Sequence, residues 1–431
     1  MGKCVADALR LDPRLAEGKR LILEAVKEHQ GRVQAIRGPH PSLKEGYERL
    51  LERAKELRAA GLWYPYIGSG IGNGPFVELA DGSVKLDLIS GIGVHPGHSL
   101  PEMVGSAIDA ASNDLVMQGN LQQNREAIEL MEQLTERCSL PHCFLTTSGA
   151  MAVENGLKLA FQKQAPKRRL LAFANSFHGR TCTLSQVTDR PAYREGLPSN
   201  LEVDYLPFYP GDALGALQKH LQAHPHDYAA FLFEPVQGEG GIYTAPSDFF
   251  RPLLTLLKAH DIAILADEIQ TFGRTASLLA CQALGLLDLV DIVTIGKLGQ
   301  VCATLFRTPY KPRAGLLSQT FISSTSAIYA AKSVLGQLES GGRREALHTY
   351  FVKGLGRFEP QISGPYGVGL MCAFSHPDGE GFVRRLFDNG VLVFVAGAKH
   401  ERVRMLLPPC IKEEHLDLAL EKIGQTLEEL G

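Results

Sequence analysis

The chain has 431 residues, 45% of them hydrophobic and 21% charged, with a formal net charge of -3. That is the composition of a globular protein large enough for two or three domains around a large core. So small a charge supplies no global field to gather nucleic acid or acidic lipid, so neither is expected as a partner. No apolar run reaches the length of a membrane span, and the N-terminus MGKCVADALRLDP lacks an apolar signal core, which predicts a cytoplasmic protein. The eight cysteines form no CxxC pair and several sit in apolar runs. This is the pattern of reduced, buried thiols, with neither a disulfide framework nor a metal site.

In chain order, residues 1–61 form a helical N-terminal segment. Ser42-Leu43-Lys44-Glu45 spells a capping box. Leu43, Tyr47, Leu50, Leu51, Ala54 and Leu57 then recur at helical spacing until Gly61, which predicts a surface helix with one buried stripe. Residues 62–100 are rich in glycine and β-formers, with Asp81-Gly82 as a hairpin turn; they read as the first part of a smaller domain. From 101 to 335, five short apolar runs alternate with helical patterns: LLAFA (170–174), AAFLFE (229–234), IAILAD (262–267), DIVTIG (291–296) and VCATLF (301–306). Such alternation predicts βαβ units and a mainly parallel sheet covered on both faces. Residues 336–431 alternate strands and helices again and close on the amphipathic HLDLALEKIGQTLEEL, a smaller α+β domain packed with the N-terminal part. The fold class is therefore α/β with a second, smaller α+β unit.

Three of the apolar runs lead into a chemically competent residue: Glu234, Asp267 and Lys297. Ligands of open α/β sheets bind beyond the carboxyl ends of the strands, so each run points its charge at one region. A lysine desolvated there loses pKa and becomes a nucleophilic amine able to form a Schiff base; the alternative is a solvated loop lysine. A carboxylate at a buried strand end requires a cation, and the pyridinium nitrogen of pyridoxal phosphate (PLP) is one; Arg274 is another. Ser148-Gly149-Ala150 precedes a long helical pattern, which makes a phosphate seat or an ordinary N-cap.

Five segments together resemble the signatures of class III, fold-type I PLP aminotransferases: FHGRT (177–181), EPVQGEGG (234–241), ADEIQTFGRT (266–275), TIGK (294–297) and RMLLPPCI (404–411). The resemblance spans roughly residues 62–431. It implies that Lys297 holds the cofactor's aldehyde and later moves the proton, and that Asp267 pairs with the pyridinium nitrogen. It further implies that Gln270 contacts the phenolic oxygen, that Phe177 and Ile269 cover the two ring faces, and that His178 adjoins the cofactor. Ser148, Gly149 and Ala150 would seat the phosphate. A threonine of the partner subunit completes that seat in the family, implying a homodimer; Thr320 is the counterpart here, with Thr325 competing. The family's T-x-G-G-N pattern is replaced by QTFISSTSAIYAA.

For substrates, the resemblance implies that Arg404 takes the α-carboxylate of glutamate or 2-oxoglutarate, and that Glu239 neutralises Arg404 when an amine is bound. Arg180 would take a second carboxylate or serve structure, and Glu234 would face the substrate. SGAMAVENGLK, GKLGQVCATLF and GVGLMCAFSHP resemble lysine ε-aminotransferases, whereas SGIGVHPGHSLPEM resembles acetylornithine-type members. The expectation is transfer of the ω-amino group of a basic amino acid such as lysine, ornithine or acetylornithine to 2-oxoglutarate by a ping-pong route. Competing readings are an aminomutase, a decarboxylating transaminase, or a catalytically silent binding protein on the same scaffold.

Overall fold

The computed structural model describes residues 4–114, 118–338 and 342–430. Three helices open the chain, Val5–Arg10, Pro13–Gln30 and Lys44–Arg58. An antiparallel meander follows, β1 (Gly68–Asn73), β2 (Phe76–Leu79) and β3 (Val84–Asp87). The Asp81-Gly82 hairpin forms as expected: Gly82 adopts φ +79°, and the Asp81 carboxylate accepts from the Ser83 N–H at 2.9 Å.

The centre of the molecule is a seven-stranded sheet. Its strands are β4 (His142–Thr146), β5 (Arg169–Phe173), β6 (Glu202–Leu206), β7 (Tyr228–Phe233), β10 (Ala263–Asp267), β11 (Ile292–Ile295) and β12 (Cys302–Phe306). Between β7 and β10 lies a small ribbon, β8 (Val236–Gln237) and β9 (Tyr243–Thr244). The spatial order is β4-β12-β11-β10-β7-β5-β6, and only β12 runs antiparallel to its neighbours. All five apolar runs of the sequence are strands of this sheet. Because side chains alternate across a strand, Phe231 and Phe233 of β7 enter one core while Ala230 and Leu232 enter the other. The first core packs under helices Arg125–Cys138, Ala213–Ala223 and Ser247–Ala259; the second packs under helix Gly149–Gln164. Burial on both faces explains why these runs are continuously apolar.

The C-terminal part contributes β13 (Ser363–Val368), β14 (Met371–Ser375), β15 (Val391–Leu392), β16 (Phe394–Ala396) and β17 (Arg402–Leu406). Four of them form an antiparallel sheet in the order β13-β14-β17-β16, whereas β15 adds parallel to β3 and so extends the meander. The two ends of the chain thus share a sheet and a core, before helix Glu413–Leu430 closes it.

The N-terminal helix corrects two expectations. Ser42 is not a cap: it lies in the 3₁₀ turn Pro41–Leu43, its N–H directed at His40 Nδ1, and helix Lys44–Arg58 starts without a side-chain cap. The helix ends at Arg58 with Ala59 left-handed, before Gly61. The predicted stripe is buried only at Tyr47, whose hydroxyl donates to the Pro65 carbonyl. Leu43, Leu50 and Leu57 are 44%, 49% and 69% exposed. Periodicity marks the face of a helix, and only a packing neighbour decides whether that face is covered.

Candidate active site

Strands β11, β10 and β7 lie side by side, so Lys297, Asp267 and Glu234 arrive from three adjacent strands at one edge of the sheet. The loop after β5 brings Phe177 and His178 to that edge, and the turn after β4 brings Gly149 and Ala150. The result is a cavity of about 490 Å³. Ten expected residues line it: Gly149, Ala150, Phe177, His178 and Arg180, and then Glu234, Asp267, Ile269, Gln270 and Lys297.

Lys297 is held at φ +47° in a 3₁₀ turn after Gly296, and Gln300 follows at φ +59°. Left-handed backbone at two non-glycine residues costs on the order of 1–2 kcal/mol each, a strain that fixes where the amine points. Burial pushes the Lys297 amine down to about 8; the nearby Glu239 opposes this, and Arg404 and Arg274 add to it. An amine this close to neutral is a competent nucleophile, and this one faces the cavity.

Asp267 is 6% exposed and meets His178, whose Nδ1 lies 2.9 Å from its Oδ2; Oδ1 accepts from the Ile269 N–H at 3.2 Å. Arg274 does not pair with it. That guanidinium donates to the Gly93 carbonyl at 2.5 Å and to the Gln270 carbonyl at 3.4 Å. The structural pairing of Asp267 with Arg274 is therefore ruled out, and the reason is distance along the fold: Arg274 turns back towards the residue 90–93 loop. His178 is itself fixed by its own N–H, which donates to Thr188 Oγ1 at 2.9 Å, while its Nε2 is buried without a hydrogen-bond partner.

The Ser148 hydroxyl caps helix Gly149–Gln164, accepting from the Met151 N–H at 3.2 Å, so it serves the helix and lies outside the cavity lining. Gly149 and Ala150 leave the positive helix end facing the cavity. A Cβ on Gly149 would come 2.8 Å from Ile269 Cδ1, so glycine lets that turn close over Ile269 without displacing its side chain. Glu234 is buried with both oxygens engaged: Oε1 accepts from the Phe177 N–H at 2.9 Å and Oε2 from the Gly238 N–H at 3.0 Å. Burial, with Asp267 nearby, pushes its carboxyl up to about 7.

Behind Gln270 lies the fully buried Arg404. It grips Glu239 with two hydrogen bonds, Nη1 to Oε1 at 2.7 Å and Nη2 to Oε2 at 3.2 Å, and Nη1 also reaches Gln270 Oε1 at 3.3 Å. Burial works against the Glu239 charge, but Arg404 and Lys297 hold its carboxyl below the usual value. Gly238 allows this crowding: a Cβ there would lie 2.1 Å from Gln270 Oε1. Arg180 is exposed and lies 4.1 Å over the Tyr193 ring, donating to its hydroxyl at 3.1 Å.

Thr320 is exposed and outside the cavity lining, while Thr325 is buried with its hydroxyl donating to the Asp114 carbonyl at 3.0 Å. Val94, Gln300 and Cys302 also line the cavity, and Thr188 supports it from behind; sequence reasoning missed all four. Proximity to Lys297 was the available signal for Gln300 and Cys302, whereas Thr188 and Val94 carried none. Among the described residues no group of His, Cys, Asp and Glu side chains could hold a metal ion.

An amine depressed towards neutrality, a buried carboxylate–imidazole pair and a helix N-terminus around one cavity fit a cofactor that carries a carbonyl, a basic nitrogen and an anion. PLP carries an aldehyde, a ring nitrogen and a phosphate, and each finds a complementary group here. Known proteins agree. The family described as class-III aminotransferase matches residues 69–427. An acetylornithine aminotransferase of Archaeoglobus fulgidus is 30% identical over 362 residues, covering 81% of this chain and 92% of its own. Among solved structures, the ornithine aminotransferase of Toxoplasma gondii superposes with a TM-score of 0.81 at 22% identity, covering 89% of this chain and 95% of its own. The lysine aminotransferase of M. tuberculosis gives 0.77 at 25% identity, covering 88% and 100%. The chain belongs to the class III aminotransferases, with the fold-type I architecture and PLP as cofactor. No helix among the described residues is long and apolar enough to cross a membrane.

Proposed function

We propose that this transaminase takes the ω-amino group of a basic amino acid, such as lysine, ornithine or acetylornithine, and passes it to 2-oxoglutarate by a ping-pong route. The observation that carries this reading is the two-contact Arg404–Glu239 pair behind Gln270. Closed, the pair offers no net charge to an amine; opened, it offers a guanidinium fork to an α-carboxylate. The relatives named for acetylornithine, ornithine and lysine support a donor with a terminal amine on a short aliphatic chain.

Bound PLP supplies an electron sink for the carbon that carries the amine. Lys297 would hold the cofactor and move the proton at Nζ, while Asp267, steadied by His178, would pair with the ring nitrogen. Phe177 and Ile269 would cover the ring faces, Gln270 would face the phenolic oxygen, and Gly149 and Ala150 would offer N–H groups to the phosphate. Glu234 acts by position, tying the Phe177 loop to the Gly238 turn rather than by touching substrate. Arg180, held over Tyr193 at the mouth, is available to a second carboxylate. In a homodimer the partner subunit's Thr320 would complete the phosphate seat; its exposure supports this, as does the engaged hydroxyl of Thr325.

The test is a panel of amino donors with 2-oxoglutarate, products identified by mass. Glutamate and an ω-semialdehyde should form from at least one of lysine, ornithine and acetylornithine. No turnover with any of the three would sink the proposal.

A further inference from the structure

Arg402 precedes Arg404 by two residues on β17, so both side chains leave the same face of that strand, with Cα atoms about 7 Å apart. It is 7% exposed, and its Nη1 is buried with no hydrogen-bond partner. Its guanidinium lies 3.5 Å from the Tyr366 ring and 4.8 Å from the Tyr243 ring. No carboxylate pairs with it among the described residues, although ring faces compensate a buried cation less well than an anion would.

The backbone that carries Glu239 runs beside this unpaired cation. The Glu239 carbonyl accepts from the Gly397 N–H at 3.1 Å, and Gly397 follows Ala396, which pairs with Arg402 across β16 and β17. Two residues after Glu239, Gly241 stands at φ +131°, where a Cβ would lie 3.1 Å from Arg402 Cγ. The main chain of Glu239 thus sits next to Arg402, and only its side chain reaches across to Arg404.

We propose that Arg402 is the second seat of Glu239: when a keto acid's carboxylate takes Arg404, the Glu239 carboxylate turns about its side-chain bonds to pair with Arg402. This rests on the switch reading above and adds where the displaced anion goes. Without such a seat, opening would leave a desolvated carboxylate beside an incoming one, which opposes binding. With it, one buried ion pair becomes two. Arg402 is a positioning residue, because it acts through Glu239 and touches neither cofactor nor substrate.

The experiment measures binding of glutarate, an unreactive dicarboxylate, to the holoenzyme by calorimetry, and follows each half-reaction by stopped-flow absorbance. Arg402→Gln should weaken glutarate binding and raise the keto-acid KM by roughly tenfold, the loss of one charge-assisted hydrogen bond. The amine half-reaction should keep its rate. Arg402→Lys should recover most of the loss, and in a Glu239→Gln background Arg402→Gln should add nothing. An equal penalty in both half-reactions, or the same penalty without the Glu239 charge, would overturn the proposal in favour of a structural strut. Should Arg404→Ala prove selective for the keto acid while Arg402→Gln leaves glutarate affinity unchanged, the switch stands and the second seat falls. If Arg404→Ala is itself unselective, both fall together.

Discussion

The two ends of the candidate site, the cavity and the ion pair behind Gln270, are built differently. At the cofactor end, Asp267 and Lys297 project from adjacent parallel strands of one sheet, and the helix that starts at Gly149 packs on the same sheet. Their spacing is set by the strand ladder, and strain at Lys297 holds the amine in place. At the other end, Glu239 rides on the short turn Gly238–Gly241 after β8 while Arg404 sits on β17 of a separate sheet. What joins them is a hydrogen-bonded ion pair. One end is held by the strand ladder and the other by charge, a division that suits the two unlike substrates of the proposed function.

The largest effect should come from breaking the rigid end. Lys297→Ala should lower turnover by roughly 10³-fold or more, the range for removing a positioned acid–base group. Borohydride should then fix no PLP to the peptide around residue 297. In the wild-type apoprotein, reconstitution by PLP should accelerate as pH rises through about 8, because that is where the buried amine loses its proton. A midpoint near the ordinary lysine value would show the amine to be solvated.

Asp267→Asn comes next. The amide still hydrogen-bonds, but it cannot keep the ring nitrogen protonated; losing a charged hydrogen bond of about 3 kcal/mol slows turnover by about a hundredfold. PLP affinity should change far less. Near-normal turnover would return Asp267 to a structural role.

The switchable end should respond selectively. Arg404→Ala removes a pair worth about 2–5 kcal/mol in a desolvated site, so specificity for 2-oxoglutarate should drop roughly thirtyfold or more. The half-reaction with an ω-amine should survive. Glu239→Ala should shift preference the other way, towards glutamate. Single-turnover absorbance of the two half-reactions separates these outcomes, and equal losses in both would remove the switch from the mechanism.

The smallest effect tests the link between the ends. Burial holds the Glu234 carboxyl up at about 7, above the ordinary 4.5, so the native state binds the extra proton between those values. Its contribution to stability is complete below about 4.5 and is lost as pH rises through about 7. Glu234→Gln should flatten that part of the Tm profile. It should also lower Tm throughout, because an amide oxygen accepts from only one of the Phe177 and Gly238 N–H groups. An unchanged pH profile would show that Glu234 is solvated and does not tie the two loops.

The sequence by itself determined the large sheet and brought Glu234, Asp267 and Lys297 to one edge of it, since both are written in local terms. Buried parallel strands must be apolar along their whole length, and a charge placed where such a run stops has only the carboxyl edge to point at. Hence Glu234, Asp267 and Lys297 were legible as a set, as was the Gly149 turn. Three matters were decided only by tertiary structure. Leu43, Leu50 and Leu57 have perfect helical spacing yet face solvent, because spacing says nothing about which neighbour is present. Asp267 meets His178, a partner the sequence reading did not offer it, and not Arg274, because the loop after β5 brings the imidazole in. The Glu239–Arg404 pair, 165 positions apart, was anticipated through the family resemblance, whereas Arg402 beside it, without a carboxylate partner among the described residues, is invisible to any local pattern. Ion pairs of this kind are read from where folding places the charges, because no periodicity of the chain records which carboxylate a buried guanidinium will meet.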